Sequence, residues 1–372
     1  MSKILRLLKN KYINNRGFHT NRRLLCIESD DWGSIRMPSK EVFEELKRLG
    51  DTPQDDSFLS NDSLEREEDL QRLYDCLSSV EDCRGRNAII TANFAMANPD
   101  FGKIDYVNDI YNYEPFYDTY KKYYPKEKVL DVVKDGIAKN IFIPQLHCRE
   151  HLNVNRWMMA LKEGKEDVLI AFQHKMVGIK ASKNNNNLFG YMDAFGLKED
   201  EFLEEKIIEA ITIFEQTFSY KSKTFVACCN FWGKEVERLL KENGVEGLQG
   251  SEWQRIPKNN NGEAKMKLRF TGDKNRYGQI YTIRNCSYEP TYTYDPESYK
   301  DQCLKDIKNS FANKKPAIIN SHRLNYIGSI NEKNAEENVK YLKILLKEVL
   351  KEFPDVEFVS SPELIDIIKE KR

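Results

Sequence analysis

The sequence predicts an α/β fold in which a parallel sheet closes, or nearly closes, into a barrel. Strand-like apolar runs alternate with helical patterns along the chain, and about seven or eight such units can be traced. The residues able to do chemistry fall just after strands, at the end where a parallel barrel places its active site. A chain of 372 residues with 40% hydrophobic content can bury a large core. We expect one elaborated domain over residues 23–372 behind a basic arm at 1–22.

The first element is the strand Arg23–Ser29, running into the loop Asp30-Asp31-Trp32-Gly33. Pro38 and Ser39 open a helix whose apolar face is Val42, Phe43, Leu46 and Leu49, with Gly50 as its stop. A second helix is expected from Leu64 to about Val80, then a buried strand at Asn87–Phe94. Residues 98–125, rich in Tyr and Phe, read as an irregular excursion from the core. A helix near Lys128–Asn140 precedes the strand Ile141-Phe142-Ile143-Pro144, and another follows from Arg156. Lys183 and Asn184–Asn187 form a surface turn. Further units are the helix Asp200–Phe218, the strand beginning at Lys223, the helix Lys234–Asn243 and a short strand at Val245–Gly250. Residues 254–278 read as a mobile insertion. Strands return at Gln279–Asn285, Pro316–His322 and Val356–Ser360, with helices near Ser298–Ala312 and Ala335–Phe353.

The overall charge favours no nucleic-acid partner, though local patches are not excluded by it. The chain has 58 basic and 59 acidic side chains, a net charge of −1, which gives no general attraction for nucleic acid. The arm carries the run Ile4-Leu5-Arg6-Leu7-Leu8, too short and interrupted for a membrane span or a signal-peptide core. The eight cysteines include no C-x-x-C pair, which predicts reduced thiols and a cytoplasmic protein. The oligomeric state is not specified.

Two of only five histidines, His147 and His151, lie four residues apart in Leu146-His147-Cys148-Arg149-Glu150-His151. Imidazole is a common ligand for first-row metals, and two rings at this spacing can converge on one ion. A catalytic site needs a third protein ligand and an open position. The same residues match H-x-x-E-H, a metalloprotease pattern in which Glu150 would be the base. That pattern belongs on a long helix, whereas here Pro144 and a strand-like run precede His147. Two histidines and one carboxylate also suit an iron oxygenase, a reading that leaves Asp30 and His322 without a role.

Asp30-Asp31, His147-Cys148-Arg149-Glu150-His151 and the late Ile319-Asn320-Ser321-His322 together resemble the polysaccharide deacetylase (NodB-like) family, which removes acetyl groups from N- or O-acetylated sugars. The resemblance implies a distorted (β/α)7 barrel with insertions near 98–125 and 254–278. It implies a divalent metal, zinc first among them, on Asp31, His147 and His151, with Asp30 as general base and His322 as general acid. The substrate would be an acetylated carbohydrate or sugar-like molecule, with Trp32, Asn230 and Trp232 as candidate contacts. The chain departs from the pattern at Cys148, where the family has Ser or Thr. It departs again at Ala227-Cys228-Cys229-Asn230-Phe231-Trp232, where the arginine that orients the base is missing. Asn230 and Glu252-Trp253 are the candidates for the space of that arginine. Its loss also admits a catalytically inactive carbohydrate-binding barrel.

Overall fold

The computed structural model describes residues 16–50, 57–179, 197–258 and 264–371. Nine strands form its main sheet: β1 (Arg23–Trp32), β2 (Ile90–Ala95), β3 (Phe142–Cys148), β4 (Thr224–Val226), β5 (Gly247–Gly250), β6 (Ile280–Ile283), β7 (Cys286–Ser287), β8 (Ala317–His322) and β9 (Val356–Phe358). Their order is β6-β5-β4-β3-β2-β1-β8-β7, with β9 beside the first residues of β1. Every pair is parallel.

The two ends of this order are neighbours in sequence. Only Arg284 and Asn285 separate β6 from β7. The Arg284 N–H bonds the Gly250 carbonyl at 2.9 Å, and the Asn285 N–H bonds that of Ile318 at 3.0 Å. The segment Ile280–Ser287 therefore runs beside β5 with its first half and beside β8 with its second. It closes the ring as a split seventh stave, which gives the seven-membered barrel. Arg284 sits at the split.

Side chains help to join β3 to β4. Pro144 offers no N–H to the ladder, and the only register pair is Leu146 with Phe225. The Gln145 side-chain oxygen accepts the N–H groups of Lys223 and Thr224 at 2.9 and 2.8 Å, and Ser222 Oγ accepts that of Leu146 at 2.8 Å. This joint brings the Val226 carbonyl beside His147.

At the other side of the site, the β1–β2 register shifts between Ser29 and Trp32. Asp31 takes a left-handed φ of 75° there, a strained conformation for a residue with a Cβ. Gly33 follows with φ 76°, and a Cβ on it would lie 2.7 Å from the Ala95 carbonyl oxygen. Gly33→Ala is expected to lose ~1–3 kcal/mol of stability through this strain. A lower urea midpoint with unchanged slope checks it.

Helix ends follow local chemistry. Ser39 caps Lys40–Leu49 by accepting the Val42 N–H, and Gly50 ends the helix at φ 79°. Ser360 and Glu363 form a capping box for Ser361–Glu370, a helix the strand-and-helix count had not included. Two expectations are corrected. Residues 98–125 are not irregular: Ala97–Pro99 pairs antiparallel with Tyr113–Pro115, and the helix Phe116–Tyr123 follows. Asn98 ties this segment to the Asp-Asp loop through the Gly33 carbonyl and the Ile35 N–H. Within 254–278, Trp253–Pro257 and Ala264–Leu268 form a regular antiparallel ribbon. The turn at Asn184–Asn187 and the arm before residue 16 lie outside the described residues. Among the described residues no helix is long and apolar enough to cross a membrane.

Candidate metal centre and catalytic pocket

At the C-terminal ends of the strands lies a cavity of about 710 Å³ whose walls include Asp30, Asp31, His147, His151, Arg284 and His322. Its size suits a small-molecule ligand. Asp30 and Asp31 come from the end of β1, His147 from β3, His151 from the loop after it, and His322 from the end of β8.

Asp31 Oδ1 lies 3.4 Å from His147 Nε2 and 3.5 Å from His151 Nε2. Its other oxygen takes a 3.1 Å contact from Arg36, whose Nε also meets Asp62 at 2.9 Å. Arg36 thus fixes the carboxylate and leaves Oδ1, sealed from solvent and without a hydrogen bond, facing two imidazoles. Burial opposes ionisation of Asp31, but the Arg36 guanidinium outweighs it and holds the carboxyl well below its usual range. His147 Nδ1 donates to the Val226 carbonyl at 2.8 Å, which turns Nε2 toward Asp31. Burial pulls His151 down to about 3, so it is neutral and able to ligate.

These groups fit a divalent ion. Ligand atoms ~2.0–2.2 Å from a tetrahedral ion stand ~3.3–3.6 Å apart, and the observed separations fall in that range. An orphaned buried carboxylate oxygen opposite two imidazole nitrogens is otherwise costly, by ~1–3 kcal/mol. Asp31, His147 and His151 are the residues that would hold the ion.

Asp30 is clamped by an arginine that sequence reading did not find. Arg284 Nη1 and Nη2 each donate to Asp30 at 2.7 Å, one to each oxygen, and Asn93 donates to Oδ1 at 2.8 Å. Arg284 is itself held by Glu28 at 2.7 Å through Nε and by Asn320 at 2.6 Å. Burial alone would raise the Asp30 pKa, yet the guanidinium beside it brings it to about 2. The guanidinium on Asp30 thus comes from the split stave and not from residues 227–232. Asn230 and Glu252 both line the cavity, and Asn230 Oδ1 accepts the Ser251 N–H at 3.0 Å.

His322 Nε2 stands 4.0 Å from Asp30 Oδ2, and its Nδ1 bonds Glu289 at 2.6 Å. Glu289 is buried and also accepts from Asn320 and Asn325, at 2.8 and 2.7 Å. Burial disfavours the imidazolium, but the Glu289 carboxylate overrides it and raises His322 to about 9.

Two expected sugar contacts are corrected. Trp32 is 1% exposed, packed edge-on against Phe142, with its indole N–H on Ser29. Trp232 is 2% exposed, stacked on Tyr281, with its N–H on Glu237. The protease geometry is also absent. His147 ends a strand, the next helix starts only at Val154, and Glu150 is turned into Arg149 (2.7 Å), Lys206 (3.3 Å) and Tyr111 (3.0 Å). Asp30, Asp31, His147 and His151 line the cavity and Glu150 does not, so Glu150 is not placed as a base beside the two histidines.

No protein-family model and no curated protein sequence matches this chain. Among solved structures it is similar in fold to a probable polysaccharide deacetylase from Pseudomonas aeruginosa PAO1, at 10% identity over 96% of each chain and a TM-score of 0.50. It is also similar to Puue allantoinase, at 11% identity over 94% of this chain and 93% of that one, TM-score 0.45. A third similarity is to 4-alpha-glucanotransferase from Thermococcus litoralis, at 10% identity and TM-score 0.46, where the match covers 93% of this chain but only 40% of the larger protein. At 10% identity the first of these likenesses shows the α/β barrel fold and nothing finer.

Proposed function

We propose that this protein is a metal-dependent hydrolase that removes an acetyl or similar acyl group from an N- or O-acetylated sugar. One observation carries the reading. The buried oxygen of Asp31 and the two imidazole nitrogens at 3.4 and 3.5 Å share a cavity with an Asp30–His322 pair 4.0 Å apart. A metal trio beside a base and an acid is what acyl hydrolysis requires.

A divalent ion on Asp31, His147 and His151, zinc first among the candidates, would polarise the acyl carbonyl and acidify the attacking water. Asp30, ionised through its Arg284 clamp, takes the proton of that water. His322, kept protonated by Glu289, gives a proton to the departing amine or alkoxide, so the proton count balances. Arg284 and Asn93 keep the Asp30 carboxylate from rotating, which preserves its aim. The reading treats residues 23–372 as the catalytic barrel, 1–22 as an arm and the cytoplasm as its compartment.

Acetate release from N-acetylated glucosamine oligomers and from O-acetylated xylan tests the proposal, with Asp30→Asn and His322→Ala as controls. Release by the metal-loaded wild type and its loss in both variants is expected. A metal-loaded, folded wild type that frees no acyl group from any acetylated carbohydrate would remove the proposal.

The pH dependence carries a sign. The His322 imidazolium is the active form, so activity is present below its folded pKa and declines as pH rises through about 9. Glu289→Gln removes the charge that raises this pKa, and the alkaline limb moves toward the ordinary imidazole value of ~6.5. A pH profile of kcat/KM for both proteins reads the shift; a limb that stays fixed in Glu289→Gln would mean that another group carries it.

A further inference from the structure

Two positions at which the chain departs from the deacetylase pattern meet at one imidazole. Cys148 lies at the end of β3 and Cys228 just beyond β4, the neighbouring strand. Cys228 Sγ is 3.9 Å from His147 Nε2. Both sulfurs and that nitrogen lie within 4.8 Å of one another, and all three side chains are buried. The same Nε2 is 3.4 Å from Asp31 Oδ1, and the Val226 carbonyl already occupies the other ring nitrogen. A single lone pair thus faces two different sets of partners.

Two sulfurs and an imidazole form a soft donor set, unlike the mixed carboxylate and imidazole set beside it. Thiolates hold Zn2+ and favour softer cations such as Cu+ and Cd2+, whereas carboxylates suit harder ones. We infer that His147, Cys148 and Cys228 form a second metal site, for a soft, thiophilic cation, and that an ion there excludes one from Asp31, His147 and His151. Binding forms two sulfur–metal bonds and one nitrogen–metal bond, releases both thiol protons to solvent and changes no oxidation state. Soft cations are then inhibitors that act by taking a ligand away from the hydrolytic centre. Cys229, which is exposed and lines the main cavity, stays outside the set.

The probe is Cd2+ added to the full-length reduced protein, read by sulfur-to-cadmium charge-transfer absorption. Wild type should show a band that saturates at about one ion per chain. Cys148→Ser and Cys228→Ser should each lose half of it or more, while Cys229→Ser and Asp31→Ala keep it. The cadmium NMR shift of wild type, which needs no variant, should report two sulfur donors. Added to Zn2+-loaded protein, Cd2+ should release about one Zn2+ for each ion bound. No band in wild type, or a full band in a folded Cys148→Ser/Cys228→Ser double variant, overturns the site, and retention of both ions together overturns the exclusion. The exclusion rests on the hydrolytic metal reading, but the band does not: if Asp31→Ala keeps its Zn2+ in the Cys148→Ser/Cys228→Ser background, that reading fails while the band still decides this one.

Discussion

Arg284→Ala is expected to lower deacylation by ~10²–10⁴-fold, the range for a lost general base, and to destabilise the fold by ~3–5 kcal/mol, the range for a buried ion pair left without one partner. The reason is local. The guanidinium serves Asp30 and Glu28 at once, and both carboxylates are buried. Without it two like charges remain in the barrel on the same strand, and burial then drives them toward protonation, which removes the base. Arg284→Lys should recover part of the stability and little of the rate, because an ammonium cannot offer the paired donors that meet both Asp30 oxygens. Denaturant unfolding beside acetate-release kinetics measures the two effects separately. If Arg284→Ala retained wild-type kcat, Asp30 would not be the group it positions.

Asp30→Asn is expected to give a loss of similar size, ~10²–10⁴-fold, with metal content nearly unchanged and a smaller loss of stability than Arg284→Ala, because the amide NH2 then meets a donor. The amide keeps the shape of the carboxylate, and Arg284 keeps Glu28 as its partner at 2.7 Å. The variant therefore removes proton acceptance without dismantling the cluster, and the loss should fall on kcat more than on KM. Glu150→Gln gives the contrast. It weakens the contacts to Arg149 and Lys206, so it should lower stability and leave metal-loaded turnover largely intact. A Glu150→Gln protein that is stable but inactive would revive the protease mechanism.

Much of the site was legible because its residues sit at strand ends in short, distinctive groups. Asp30-Asp31, His147, His151 and His322 are few, and the rule that parallel barrels act at their C-terminal edge gathers them into one place. Arg284 was not legible. It is one of several basic residues in its region, and its role arises only because Ile280–Ser287 leaves β5 for β8 and so closes the ring across from β1. Glu289 and Arg36 were hidden for the same reason, since their value lies in contacts with residues 33 and 5 positions away. Trp32 and Trp232 misled because an aromatic after a strand reads equally as wall or core. The bulge at Asp31 sends Trp32 inward against Phe142. The aromatic content of 98–125 hid a hairpin held by Asn98, whose contacts are visible only once Gly33 is in place. The polar ribbon near 254–268 likewise owes its regularity to cross-strand pairing rather than to an apolar pattern.

Metal content per chain, measured on purified wild type beside Asp31→Ala, tests the central claim most directly because it needs no substrate. Wild type reconstituted with Zn2+ should hold about one ion per chain, and in a Cys148→Ser/Cys228→Ser background, which leaves Zn2+ no sulfur ligands, folded Asp31→Ala should lose most of it, since deleting one of three protein ligands weakens such a site severely. A folded Asp31→Ala protein that keeps its full complement in that background, or a wild type that holds no ion after reconstitution, would contradict the assignment of Asp31, His147 and His151 as a metal centre.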